Sequence, residues 1–334
     1  MSITGLEPLL VGLIVVALAF DFMNGMNDAA NSIATIVATR VLSPRYAVAW
    51  AAFFNFVAFV VFGLHVAKTV GTGIVSPHVI SDSVIFGALA GAISWNIITQ
   101  LFGIPSSSSH ALIGGLIGSG IASTGLNAVV WTGVAKTAGG IVWSPTLGIV
   151  VALFLVLLVS WLFVGALPAR VDGIFRRVQF VSASLFSLGH GGNDAQKTMG
   201  VIAVLLFAHG YTGGAFAVPF WVVLLCQAAM ALGTLFGGWR IVRTMGSRIT
   251  HLTPLQGVCA ETAGSIMLFL ATGLGIPVSS THTITGAIIG VGAARRASAV
   301  RWGVARRVVI AWIITMPAAG TMGALFYEIA HLFR

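Results

Sequence analysis

The chain has 334 residues, 57% of them apolar and only 7% Asp, Glu, Lys or Arg, with a mean hydropathy of +1.01. A soluble domain carries about 25% charged residues, so water cannot solvate this surface and the chain is read as membrane-embedded. The net charge of +9 resides mainly on Arg in short loops between apolar runs. That is the positive-inside pattern rather than a nucleic-acid footprint, and no nucleic-acid partner is expected.

Along the chain, the N-terminus has neither a basic n-region nor a small-residue cleavage site and reads as a first span. This span covers about 9–38 and is expected to break at 24–28. A second follows at about 46–66. Segment 84–122 reads as a re-entrant hairpin turning at 103–109. Residues 126–143 read as interfacial, leading into a Pro-interrupted span at about 137–166. After an Arg-rich linker, 170–177, come spans near 178–208, broken at 190–194, and near 216–236. A second hairpin at about 254–294 turns at 275–281, and a last span ends near Leu332. Cys226 and Cys259 lie in apolar segments without metal or disulfide spacing and read as packing residues.

The chain repeats itself. Gly25-Met-Asn27-Asp28-Ala29 returns as Gly191-Gly-Asn193-Asp194-Ala195. Gly103-Ile-Pro-Ser-Ser-Ser-Ser-His110 returns as Gly275-Ile-Pro-Val-Ser-Ser-Thr-His282, in register through Gly114/Gly286 and Gly118/Gly290 to Pro145/Pro317. The order of the two motifs is the same in both copies, which points to a duplication: 1–169 and 178–334, joined by the cytoplasmic linker 170–177. With the basic loops 40–45, 170–177, 240–248 and 295–307 all on the cytoplasmic side, each half makes three crossings. The expected fold is therefore an all-α polytopic membrane protein of two inverted-topology repeats, each with a broken transmembrane helix and a re-entrant helical hairpin. Both termini would be extracytoplasmic, in a multi-pass protein of the cell (inner) membrane.

Irregular backbone at membrane depth must line a protein cavity or water. In each hairpin turn the residue before proline leaves the helix. The hydroxyl residues that follow cap a new half-helix, whose free amides and positive dipole end suit an anion. Ser107, Ser108 and Ser109 from one turn, with Ser279, Ser280 and Thr281 from the other, are the expected oxyanion ligands. The alternative is Ser and Thr that merely pack helices. A carboxylate at span centre costs about 2.5–3.5 kcal/mol, so Asp28 and Asp194 are expected to be functional. Carboxylates among amide oxygens suit a hard cation, which makes Asn27, Asp28 and Asn31, with Asn193 and Asp194, the candidate Na⁺ ligands; proton carriage is the other option. Lys197, at i+3, offers Asp194 a simpler role as an internal ion pair. Asp21, His110, His190, Lys197, Glu261 and His282 are possible accessory groups. The two matched histidines read first as fixing the turns.

The two Asn-Asp-Ala segments, 21–31 and 190–200, and the two Gly-Ile-Pro…Ser…His turns resemble the inorganic phosphate transporter (PiT) family of cation–phosphate symporters. The resemblance covers essentially the whole chain. It implies inverted repeats, a homodimer in membrane lipid, phosphate at the hairpin tips and coupling cations, Na⁺ or H⁺, at the Asn-Asp segments, with no other cofactor. Met26 stands where the family usually has a small residue. The expected function is symport that imports inorganic phosphate. Sulfate, arsenate and metal–phosphate complexes are alternative cargo. An anion channel would not need paired buried carboxylates. An enzyme would need an acid to orient the histidine of Ser109/His110, and none is evident. No Gly-x-x-x-x-Gly-Lys-Ser/Thr segment is present to bind ATP.

Overall fold

The structure, a computed structural model, describes residues 6–333. The helices of the first half are α1 (Pro8–Ala38), α2 (Pro44–Val57), α3 (His65–Gly73), α4 (Asp82–Phe102), α5 (Ser108–Thr124) and α6 (Trp131–Leu162). Those of the second are α7 (Pro168–Ala208), α8 (Phe220–Phe236), α9 (Trp239–Arg243), α10 (Pro254–Gly273), α11 (Ser280–Arg295) and α12 (Trp302–Leu332). Among the described residues six helices are long and apolar enough to cross a membrane, or up to eight spans if each of two bent pairs is one. The protein is an all-helical, multi-pass membrane protein.

Three sequence expectations change. First, α1 and α7 run unbroken through 24–28 and 190–194. The broken spans are the next ones: Pro44–Val60 meets His65–Gly73 at 81°, and Phe220–Phe236 meets Trp239–Arg248 at 63°. The motif glycines serve close approach instead of a break. A side chain on Gly25 would strike the Met230 carbonyl of α8, and one on Gly191 the Asn55 carbonyl of α2. Second, 170–177 is no free linker but lies within α7, which starts at Pro168. Third, after a short 3-10 turn at Gly125–Ala128, residues 131–143 belong to α6, which continues through Pro145 as one helix. The residues before Leu6 lie outside the described segment, so the expected position of the N-terminus does too.

The hairpins form where expected, but glycine makes the turn rather than proline. Gly103 and Gly275 hold φ of 63° and 65°, a left-handed conformation that costs other residues energy. Each closes a Schellman motif. In the first hairpin Gly103 N–H donates to Gln100 O (3.0 Å) and Ile104 N–H to Thr99 O (2.9 Å). In the second, Gly275 N–H donates to Thr272 O (3.1 Å) and Ile276 N–H to Ala271 O (2.8 Å).

The halves exchange partners. Helix α12 packs along the α4–α5 hairpin of the first half, and α6 packs along the α10–α11 hairpin of the second. Likewise α8 packs on α1, while α2 and α3 pack on α7. The four basic segments gather at one end. There an Arg176 guanidinium N–H donates to Arg40 O (3.4 Å), and Arg301 donates to Ser247 O (3.3 Å). Two apolar cores fill the molecule. One takes Leu10–Phe20 of α1 and Ala195–Leu206 of α7; the other takes Ala30–Ile36 of α1 and Ala183–Phe186 of α7. The polar motifs of α1 and α7 lie between them.

Candidate functional site

Helix α1 turns Asn24, Asn27, Asp28 and Asn31 inward, and α7 turns His190, Asn193, Asp194 and Lys197 inward; all are buried. The N-terminal ends of α5 and α11 face them with Ser107–Ser109 and Ser279–Thr281, none more than 2% exposed. Sequence reasoning named both groups, and the structure brings them into contact.

The tip hydroxyls already have work. Ser107 Oγ accepts the His110 N–H (3.2 Å) and Ser279 Oγ the His282 N–H (3.3 Å), so these two are helix caps, as expected. Ser280 Oγ donates to Asp194 Oδ2 (2.6 Å). Thr281 Oγ1, 3.2 Å from both Asp28 Oδ1 and the Ser106 carbonyl, has one proton to give to the two. Asn31 Nδ2 donates to Ser280 Oγ (3.1 Å) and Thr281 Oγ1 (2.9 Å). Lys197 Nζ donates to Asp194 Oδ1, to Ser109 Oγ and to Val278 O, the last at 2.7 Å. The tips therefore meet through Lys197 of α7, and directly through Thr281 with the Ser106 carbonyl and through the His110 and His282 rings, whose centroids are 4.5 Å apart.

The two Asp residues have different surroundings. Asp194 holds Lys197 on one oxygen; the other lies 3.1 Å from His190 Nε2, and His190 Nδ1 is 3.2 Å from Asn55 Oδ1. Asn193 is spent on its own hairpin: its amide donates to Thr272 Oγ1 (2.9 Å) and Ile276 O (3.3 Å), and its oxygen accepts from Val278 N–H (3.3 Å). Asp28 has no basic residue one turn away. Its equivalent neighbours are Asn24 and Asn31, and the side-chain oxygens of Asn24, Asn27, Asn31 and Asn96 are buried without a hydrogen-bond donor. Asn27 Nδ2 reaches only Asn96 O, at 3.4 Å. Buried oxygens without donors beside a carboxylate form the donor set of a hard monovalent cation.

A second grouping crosses the halves. One ligand atom from each of Asp28, His190 and Asp194 lies within 4.8 Å of the others. Imidazole with carboxylates is a donor set for divalent transition metals.

The accessory candidates separate. Asp21 faces Thr198, Asn24 and Cys226 between α1, α7 and α8. Glu261 lies apart in α10, where Thr35 Oγ1 (2.6 Å), Gln179 Nε2 (2.9 Å) and Ser182 Oγ (2.5 Å) all donate to its carboxylate. Behind it Thr39 Oγ1 donates to Gln179 Oε1 (2.8 Å), in the direction of a cavity of about 480 Å³ lined by Thr39, Arg40, Arg176 and His251. Sequence reasoning missed Asn24, Asn55 and Asn96 and the partners of Glu261. The signal was available for Asn96 and Asn55: each is an amide inside an apolar run, which the bilayer tolerates only against a partner or cavity.

The profile of the Phosphate transporter family matches residues 24–167 and 164–323, one match per half. A Rhizobium meliloti (strain 1021) protein described as a probable low-affinity inorganic phosphate transporter is 71% identical over 97% of this chain and 97% of its own. A Bacillus subtilis (strain 168) protein of the same description is 44% identical over 96% of each chain. A solved structure described as the sodium-dependent phosphate transporter is similar with a TM-score of 0.90 at 26% identity, covering 98% of this chain and 100% of that one.

Proposed function

The chain belongs to the phosphate transporter family, a family of transporters and not of enzymes, and on that premise we propose that it imports inorganic phosphate by symport with Na⁺ or H⁺. One observation carries the coupling: Thr281, a tip hydroxyl, shares its proton with Asp28. A cation on Asp28 takes the lone pairs that Thr281 now uses. The hydroxyl is then free to turn toward an anion held by Ser108, Ser109, Ser280 and the amides of α5 and α11. Cation and phosphate thus favour each other through one side chain. The potential opposes an incoming anion by about 2.3 kcal/mol per charge per 100 mV, and a co-transported cation offsets this. The oxygens of Asn24, Asn27, Asn31 and Asp28 are the ligands proposed for it, and the sodium-dependent structural relative supports Na⁺.

The same reading makes the two halves inverted repeats. The clustering of Arg40, Arg176, Ser247 and Arg301 at one end supports a single cytoplasmic face in the cell membrane. Outward Phe154, Trp161, Ile313 and Leu325 supply surface for lipid and for the partner of a homodimer.

The test is reconstitution in liposomes with labelled phosphate, under separate Na⁺ and H⁺ gradients and with sulfate as competitor. Uptake that follows neither gradient refutes symport. Uptake blocked by equimolar sulfate moves the cargo to oxyanions in general. A second reading, metal–phosphate complexes as cargo, rests on the Asp28–His190–Asp194 cluster. It requires Mn²⁺ or Zn²⁺ uptake that depends on phosphate.

A further inference from the structure

Helices α1 and α7 are continuous, so their positions correspond without a gap counted from Asp28 and Asp194. On that count Asn24 matches His190, Asn27 matches Asn193, and Asn31 matches Lys197. The last pair matters most. Both side chains cross to the opposite hairpin and reach the same place in it. Asn31 donates to Thr281 at the tip of α11, and Lys197 donates to Ser109, the matching residue at the tip of α5.

The first half thus presents a carboxylate among amide oxygens that lack donors. The second presents a carboxylate with a positive charge already on it. An ammonium has three protons and no acceptor. Lys197 places them on Asp194 Oδ1, Ser109 Oγ and Val278 O, a carboxylate, a hydroxyl and a carbonyl. These are the oxygen types that would surround a small hard cation at this point. The remaining second-half ligand, the Asn193 oxygen, is used by the Val278 N–H.

We propose that the Lys197 ammonium is a built-in cation that fills the second half's coupling position, leaving one mobile cation, held by the first half, to accompany each phosphate. The inference rests on the symport reading above and sets its stoichiometry. A relative with a neutral amide at the Lys197 position would have room for a second mobile cation; this chain does not. Fixed charge replaces transported charge. It keeps Asp194 neutralised and tip one attached through every cycle, at the cost of a smaller driving force per phosphate.

The wild-type protein gives the first test. In proteoliposomes, the opposing phosphate gradient that just stops net flux at a given cation gradient and clamped potential reports the coupling ratio. The measurement is made with Na⁺ at one pH, and with H⁺ after correcting for the ionisation of phosphate itself. One cation per phosphate is expected; two overturns the proposal. The second test is Lys197→Asn, which copies the first half. Its coupling ratio should rise to two, with the Hill slope for the cation rising in step, whereas Lys197→Arg should keep the wild-type ratio. A Lys197→Asn protein that exchanges phosphate and keeps a ratio of one overturns the proposal. The mirror variant, Asn31→Lys, should place a fixed charge on Asp28. Phosphate exchange between equal cation pools should persist while the response to a cation gradient disappears; an unchanged response counts against the proposal even if Lys197→Asn does not fold. Wild-type flux indifferent to both gradients removes the symport reading itself, a result distinct from coupling with the wrong ratio.

Discussion

His110 and His282, matched residues of the two hairpins, meet edge to face with ring centroids 4.5 Å apart, and His282 also stacks on Trp312 at 3.8 Å. Aromatic pairs of this kind contribute about 0.5–1.5 kcal/mol beyond area burial. A double-mutant cycle with His110→Ala and His282→Ala should return a coupling energy in that range, read by reversible unfolding in detergent. Because this contact ties one tip to the other, each single variant should also raise the KM for phosphate. Additive stabilities and an unchanged KM would show that the rings only fill space.

Asp28→Asn and Asp194→Asn should behave differently. Removing Asp194 leaves the buried Lys197 ammonium without its carboxylate, and breaking a buried pair in this way costs about 3–5 kcal/mol. The Asp194 variant should therefore lose stability first, seen as a lower unfolding temperature. Asp28 has no basic partner on α1. Its variant should keep a near-normal unfolding temperature and lose gradient-driven uptake while phosphate exchange persists. Equal losses of stability would contradict the asymmetry between the halves.

The motif glycines should be intolerant of bulk. Gly191→Val would drive a side chain into the Asn55 carbonyl and Gly25→Val into that of Met230. Overpacking costs about 1–3 kcal/mol or more, so both should reduce folded yield. Gly12, in the same helix as Gly25, has nothing within 4 Å of an added Cβ, and Gly12→Ala should be neutral or mildly stabilising.

Glu261→Leu should strand the Thr35, Gln179 and Ser182 donors, at about 1–3 kcal/mol for each donor left buried and unpaired. Glu261→Gln keeps the shape and one acceptor oxygen, and the two hydroxyls can rotate, so its loss should be smaller. The comparison is made by thermal unfolding of the purified proteins. Equal effects would mean that packing, and not the hydrogen-bonded nest, holds this site.

Much of this was legible in the chain itself. Apolar run length located most of the spans, α7 with its polar motif not being among the helices apolar enough to cross by that measure, and the repeated Gly-Ile-Pro…His placed both hairpins within a few residues, because turn chemistry is local. The location of the breaks was not legible. A polar Asn-Asp segment in an apolar helix looks like a fracture, yet Asp28 and Asp194 find partners sideways, both on the tip of α11, so their helices have no need to unwind. The bends lie instead at 61–64 and 237–238, at Gly63 and the pair Gly237-Gly238, whose first member holds φ of 65°; glycine there reads equally as the plain end of a span, so tertiary packing decides that the chain bends and continues. Lys197 was visible as a neighbour of Asp194. That it also reaches Ser109, 88 positions away in sequence, depends on how the halves are assembled.

The packing of α12 on the first hairpin and α6 on the second bears on how such a chain is inherited and can be divided. Each half covers its own hairpin only in part, α1 against α4 and α7 against α10, and leaves the rest to the other half. Synthesised alone, residues 1–169 would expose the faces of α4 and α5 that α12 now covers, together with the face of α6 that fits α10 and α11. The two exposed surfaces are equivalent to those of the other half, so a half-length protein is complete only as a pair. A chain cut between α6 and α7 should regain function when both pieces are made in the same cell, and neither piece should persist without the other.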